Sequence, residues 1–439
     1  MRKKLLFLLL IIAIMVTPLF AGGDSEKAGS KEVKLTLWNS SQTMVEWYDE
    51  VVTPAFKEMY PEVTDVEVLY LPIQDFVKKL AVALPSGDVP DIMEIEDSWA
   101  TPYLTAGYFD PNTPELNRVL DQMRPELKNT VTYKGKTYGV PVAPFHELFF
   151  YNLDMMAEAG ITEIPDTMDE VIQAAVKMTK RDATGKIERS GFSMRLGGNP
   201  SGTSQKFWVL GLLPNGVDIW EESKTQPGKY HAGFDNEGGY NALKMYLEML
   251  YKYEVDDFAS MKDTEAFAKE RTAINMREPS AAVSIERQGP NVNWVAAPMP
   301  VGNVRRATFL ITLNLYVPKD SPKANKDLAR KYIELATSEK MQDNNAINRA
   351  GFHPYTSVDP ASFVQDRLKP GFAMPDDMHI ITVPVHNAYD MAQVKLGEAL
   401  PNILKKAELV NDPEGIKREV AYLASLVNDA YAEFDEYAE

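Results

Sequence analysis

Apolar and polar residues alternate from Val33 to Trp38 and then give way to Asn39-Ser40-Ser41, the pattern of a strand running into a polar loop. Val45, Tyr48, Val52, Phe56 and Met59 recur at three- and four-residue spacing, one apolar stripe of a helix that Pro61 stops. Val63 to Leu71 reads as a second strand and Asp75 to Leu84 as a second amphipathic helix. Ser86-Gly87-Asp88-Val89-Pro90-Asp91 is a tight turn into a short strand, Ile92 to Ile95. Strands alternating with helices in this way imply a parallel sheet. Tyr133 and Tyr138 flank a turn at Lys134-Gly135-Lys136. The pattern restarts at Leu148 with a strand to Tyr151, a helix capped by Asn152 that ends near Gly160, and the capping box Thr167-Met168-Asp169-Glu170, which opens a helix to about Lys180.

Residues 191–239 are rich in Gly, Asn, Ser and aromatics, and their weak periodicity yields one helix, near Ser204 to Gly211. Strands return at Val295 to Pro300 and Ala307 to Val317, followed by helices at Lys323 to Ala336 and Ser338 to Ala350. Two more helices, Asn387 to Leu409 and Pro413 to Glu436, finish the chain. No internal repeat is visible, which argues against a solenoid or propeller.

Arg2, Lys3 and Lys4 precede the apolar run Leu5 to Val16 and the small residues Ala21, Gly22 and Gly23, the layout of a secretory signal peptide over residues 1–21. The run is too short for the roughly 20 residues of a membrane span. Residues 22–32 form a polar leader, and with no cysteine in the chain there is no site for a lipid anchor, so a soluble exported protein of the periplasm or cell envelope is expected. The 439 residues suffice for two or three domains, and a formal charge of −17 opposes binding to nucleic acid. Lack of cysteine excludes disulfides, iron–sulfur clusters and thiol nucleophiles. The five histidines have no metal-binding spacing, Thr130 stands where a phosphate loop ending in Gly135-Lys136-Thr137 would need glycine, and no Gly-x-Ser-x-Gly elbow occurs. No metal, cofactor or catalytic residue is therefore expected.

In order and spacing, several stretches resemble the extracellular solute-binding proteins of bacterial ABC importers, in particular the sugar and oligosaccharide binders similar to maltodextrin-binding proteins. They are Val33 to Trp38, Phe56-Lys57-Glu58-Met59-Tyr60-Pro61, Lys79-Leu80, Ser86 to Ile92, Tyr133 to Pro141, Phe150-Tyr151-Asn152 with Ala159-Gly160, and the helix start from Pro165 to Glu170. The resemblance covers about residues 33–355. It implies a two-lobed α/β periplasmic-binding-protein fold of type II, with a ligand cleft between the lobes and three hinge crossings near residues 145, 298 and 353. Residues 33–145 with 298–352 then form the first lobe and 146–297 with 353–439 the second. The implied partners are a small solute, carbohydrate first, and the permease subunits of an importer; a monomer is expected. One departure bears on the ligand: Ser280 stands after Pro279 where the family carries a sugar-stacking tryptophan.

A sugar site needs aromatic faces beside polar side chains, and in parallel sheets it lies at the carboxyl ends of strands. Asn39, Ser40 and Ser41 follow the first strand; Glu96, Asp97, Ser98 and Trp99 follow the third. Trp99 either stacks on ligand or packs its own helix. Phe145, His146 and Glu147 occupy the first crossing, where His146 either reaches ligand or makes an interdomain hydrogen bond. Asn199, Trp208 and Trp220 are candidates from the second lobe, and Arg277 and Glu278 either meet ligand or form a solvated pair. Asn39, Ser40, Ser41 and Ser98 beside Trp99 suit a neutral sugar, whereas Arg277 suits an anionic group. The rival readings are a secreted carbohydrate-active hydrolase, marked by a carboxylate pair facing the cleft, and a binder of glycerol phosphate or a polyamine.

Overall fold

The structure is a computed structural model that describes residues 32–439 apart from 350 and 384. The expected export segment, and all of the leader but its last residue, lie outside the described residues. β1 (Val33–Asn39) pairs in parallel with β2 (Val63–Tyr70) on one side and β3 (Ile92–Glu96) on the other. Leu35 and Leu37 of β1 are fully buried, as alternation requires, and the Asp91 carboxylate accepts from the Thr36 amide at 2.8 Å to fix the turn into β3. The expected helical stripe is split by a π-helical turn at Tyr48–Val52. The wider turn rotates the buried face, so Met44 and Trp47 join Tyr48, Val52 and Phe56 inside while Met59 is left 58% exposed.

β4 (Gly139–His146) ends one residue before β5 (Leu148–Asn152), yet the two lie in different sheets. The second sheet has the order β9-β5-β8-β7-β6, with β6 Lys180–Arg181, β7 Ile187–Phe192, β8 Thr272–Arg277 and β9 Trp294–Ala297. The chain then returns through 298–305 to β10 (Arg306–Tyr316), which joins the first sheet antiparallel to β3 and β4. β11 (Met378–Thr382) adds to the first sheet in parallel with β10. This differs from an assignment of everything after residue 352 to the second lobe. The Gly351–Pro354 stretch is irregular chain held to first-lobe segments, with the Arg124 amide donating to Pro354 O at 2.8 Å.

Three helices carry the site: α1 (Asp97–Thr105), α2 (Pro200–Phe207) and α3 (Tyr389–Leu404). The helix expected over 204–211 starts four residues earlier, because Asn199 caps it, and passes into a π-helical turn at Trp208–Leu212. α3 packs on α2 at Gly397, where an added Cβ would stand 1.9 Å from Pro200 O. Helix Pro413–Glu433 covers α3 from outside. The buried apolar residues form two clusters, each drawing on both sheets: Phe309 and Ile311 of β10 join Phe149, Tyr151 and Ile274 in one, and Phe150 and Trp294 join Leu35, Leu37 and Ile92 in the other.

Candidate functional site

Register brings the carboxyl ends of the first sheet together, since Leu313 of β10 sits opposite Glu96 of β3 and Ile311 opposite Phe145 of β4. In the second sheet Arg277 at the end of β8 pairs with Leu148, next to the crossing residue Glu147. Between these strand ends lies a cavity of about 620 Å³ whose walls come from both sheets and from α1, α2 and α3.

Nine of the fourteen residues singled out from sequence line it: Ser40, Ser41, Ser98, Trp99, Phe145, Glu147, Asn199, Arg277 and Glu278; of Asn39 only the loop that follows it reaches the wall. Asn39 is fully buried, and its side-chain oxygen accepts from the Ser41 amide at 3.2 Å, shaping the loop that presents Ser40 and Ser41. Trp99, on the first turn of α1, is half-buried; it packs on the apolar cluster beside β1 and β3 and lines the cavity.

Four residues lie behind the wall. Asp97 is 2% exposed; its carboxylate accepts from the Ser98 amide at 2.8 Å and the Thr312 amide at 3.3 Å, and burial, with Glu96 nearby, raises its pKa well above the carboxylate range. His146 is buried edge-on between Phe352 and Phe372, 5.1 and 5.5 Å away, and desolvation lowers its pKa to about 4. Its Nε2 lies 3.5 Å from Gly371 O, and the ring does not line the cavity. Trp208 is fully buried and stacked on Phe309 at 5.1 Å, and Trp220 packs on Trp208 and Tyr389. The π-helical turn rolls Trp208 into the core against Phe309 of β10, so these two tryptophans are packing residues behind the cavity wall.

The floor is a set of charges satisfied among themselves. Lys206 Nζ lies 2.5 Å from Glu147 Oε2 and 3.0 Å from Met276 O, with both side chains more than nine-tenths buried. Burial raises the Glu147 carboxyl and lowers the Lys206 amine, each toward neutrality, and their mutual attraction opposes both shifts. Arg277 donates to Glu278 at 2.8 and 2.6 Å and contacts Asp263 at 2.6 Å. Burial works against the Glu278 charge, but the Arg277 guanidinium and Lys206 hold it down to about 2. This pair is a fixed fork at the wall, not the solvated pair considered from sequence.

Sequence reasoning missed Arg195, Gln205, Lys206, Tyr389, Asp390 and Gln393 at the walls. Asn199-Pro200, a cap followed by proline at the first helical turn, was the signal that could have placed α2. Asp390 and Gln393 lie on one face of α3, at a spacing that alone distinguishes no ligand wall from any other helix face. Ser280 does line the cavity, as an exposed small residue.

Two lobes of mixed α/β structure enclosing a polar, partly aromatic cavity at their strand ends define a protein that traps a small solute. Residues 40–343 match the bacterial extracellular solute-binding proteins, and the chain belongs to that family. It is 24% identical over 359 residues to the diacetylchitobiose binding protein DasA of Streptomyces coelicolor, covering 78% of this chain and 80% of that protein. Among solved structures it is similar to an ABC transporter solute binding protein of Thermotoga lettingae bound with alpha-D-tagatose, with a TM-score of 0.71, 24% identity and coverage of 91% and 99% of the two chains. The sugar-binding protein MalE of Xanthomonas citri superposes with a TM-score of 0.73 at 19% identity, over 92% of this chain and all of the other. Among the described residues no helix is long and apolar enough to cross a membrane.

Proposed function

We propose that this chain is the exported binding component of an ABC importer, capturing a sugar or oligosaccharide by closing two lobes and presenting it to the permease without chemical change. The observation that carries the reading is the cavity itself. Trp99 and Phe145 offer ring faces, Met44, Ile73 and Val77 continue the apolar surface, and Ser40, Ser41, Ser98 and Asn199 offer hydrogen bonds at the edge. A pyranose needs that combination of faces and edges. The ligands of relatives, among them diacetylchitobiose and tagatose, support carbohydrate as the class to try first.

In this reading the first lobe is residues 33–146 with 306–382 and the second is 148–297 with 389–439, so the crossings fall at Glu147, 298–305 and 383–388. Cavity-lining residues from both sides would hold the ligand, which favours the closed state by its extra contacts alone. The test is a thermal-shift screen over mono- and oligosaccharides, glycerol phosphates and polyamines. A ligand at a hundredfold excess over Kd should stabilise the fold by about 2.7 kcal/mol, and no response to any carbohydrate would refute the reading.

Hydrolysis is the second reading, and one observation favours it. Glu96 faces the cavity with its pKa raised to about 7 by burial, the property of a general acid, and Asp390 lies close enough to add to that rise. Prolonged incubation with oligosaccharides followed by product analysis separates the two, and any turnover displaces the binding-only reading.

A further inference from the structure

The charges on the cavity walls narrow the ligand further; this step rests on the carbohydrate reading above. Of the three cations at the walls, Lys206 is held by Glu147, and Arg277 is held by both Glu278 and Asp263. Two acids at the other end have no such partner. Glu96 accepts a hydrogen bond from Ser98 Oγ at 2.8 Å and meets no cation, and Asp390 has no side-chain hydrogen bond or ion pair among the described residues. Gln393, three residues along α3 from Asp390, is 1% exposed; its amide nitrogen donates to Tyr389 Oη at 2.9 Å and its carbonyl oxygen has no partner. Arg195, the third cation, carries no ion pair among the described residues and lies with its guanidinium against Gly202 at the start of α2.

One end of the cavity therefore offers two acidic side chains without a cation beside an amide oxygen. A sugar hydroxyl facing them donates one hydrogen bond and supplies no positive charge. An ammonium group donates three and brings a positive charge between the two acids, and charge-assisted hydrogen bonds are roughly twice as strong as neutral ones. Arg195 then remains as a donor for hydroxyl and ring oxygens. We propose that the ligand is an amino sugar or short amino-oligosaccharide whose protonated amine sits between Glu96 and Asp390, with the pyranose face against Trp99.

Titration calorimetry on the full exported chain at pH 6.5 tests this with three β-1,4-linked disaccharides that differ at carbon 2: chitobiose with free amines, N,N′-diacetylchitobiose with acetamides, and cellobiose with hydroxyls. Chitobiose should bind at least roughly tenfold more tightly than the other two. The preference should shrink with added salt and disappear in Asp390→Asn and in Glu96→Gln, each first shown to melt cooperatively. Equal or tighter binding of cellobiose or the diacetyl compound overturns the proposal, as does a preference that survives both substitutions. If none of the three binds, the amino-sugar proposal fails; the carbohydrate reading fails with it only if longer neutral oligosaccharides also leave the melting curve unmoved.

Discussion

Removing the amine from the buried Glu147–Lys206 pair, by Lys206→Met, should destabilise the protein in a way that depends on pH. Methionine keeps most of the apolar stem but leaves Glu147 buried, 4% exposed, without its cation. The stranded carboxylate can escape by taking a proton, which limits the charge penalty to the cost of protonating it. From the ordinary value of 4.5 to pH 7 that cost is about 3.4 kcal/mol, at 1.36 kcal/mol per unit. The lost bond to Met276 O adds about 1 kcal/mol at any pH. The deficit at pH 7 is then about 4 kcal/mol, within the range for breaking a buried pair. A carboxyl raised in the folded state binds its proton more readily folded than unfolded, so the variant's deficit grows as pH rises and relaxes as pH falls. At pH 5 the charge penalty is only about 0.7 kcal/mol and the total about 2 kcal/mol. Urea denaturation followed by tryptophan fluorescence at pH 5, 6 and 7 measures this, and Glu147→Gln combined with Lys206→Met should recover most of the loss. A deficit that is independent of pH, or below about 1 kcal/mol at pH 7, would show that water reaches the pair and that the floor of the cavity is not dry.

Trp99→Ala should weaken carbohydrate binding by about 1 kcal/mol, read by calorimetry, whereas Trp208→Ala should act on folding at about 3–5 kcal/mol because that ring is fully buried; equal affinity in Trp99→Ala would assign that ring to the scaffold. Gly397→Ala sets a methyl 1.9 Å from Pro200 O, which α2 and α3 can relieve only by separating, so the melting temperature should fall by an amount corresponding to about 1–3 kcal/mol. Glu96, raised to about 7 by burial, holds its proton more firmly in the folded state, so its contribution to stability is lost as pH rises from about 4.5 to about 7. Melting curves from pH 4 to 8 should lose that part of their slope in Glu96→Gln, and identical slopes would place Glu96 in solvent.

The elements with a strong local signal were legible in the sequence. Thr167 and Glu170 form the capping box that their spacing announces, Asn152 caps its helix through Met155 N at 2.9 Å, and Lys134 and Gly135 adopt the positive φ values of a tight hairpin turn. Where a turn changes its width, the pattern misleads. The π-helical turns at Tyr48–Val52 and Trp208–Leu212 shift the buried face, exposing Met59 in one place and burying Trp208 in the other. First-lobe contributors to the cavity follow strand ends and could be read from the chain; those of α3 could not, since nothing in Tyr389-Asp390-x-x-Gln393 says that the helix returns to the cleft. Gly351 and Pro354 looked like a joint because both residues favour turns, yet a turn and a change of lobe leave the same trace in sequence.

The crossings differ physically, and the difference bears on how the lobes can move. Phe145 is bonded into the first sheet opposite Ile311 and Leu148 into the second opposite Arg277, which leaves only His146 and then Glu147 between the two ladders. Its side chain is tied to Lys206 on α2, while its neighbour His146 is clamped between Phe352 and Phe372. Such a joint can twist about a point but cannot extend. The return over 298–305 is longer, but Gly302 lies so close to Pro214 that an added Cβ would stand 2.2 Å from the proline Cβ, which anchors that loop to the second lobe. At 383–388 the chain is held at its far end, where the Glu436 carboxylate accepts from the amides of Asn387 and Ala388, and Thr105 of α1 donates to Asn387. In the two-lobe motion proposed above, rotation that opens the cavity would pivot at Glu147 and strain the contact between Thr105 and Asn387. That contact joins the far end of the helix carrying Trp99 to the start of the helix carrying Asp390, so the side chains that would grip a ligand from opposite walls are linked through the same two helices that the hinge has to separate.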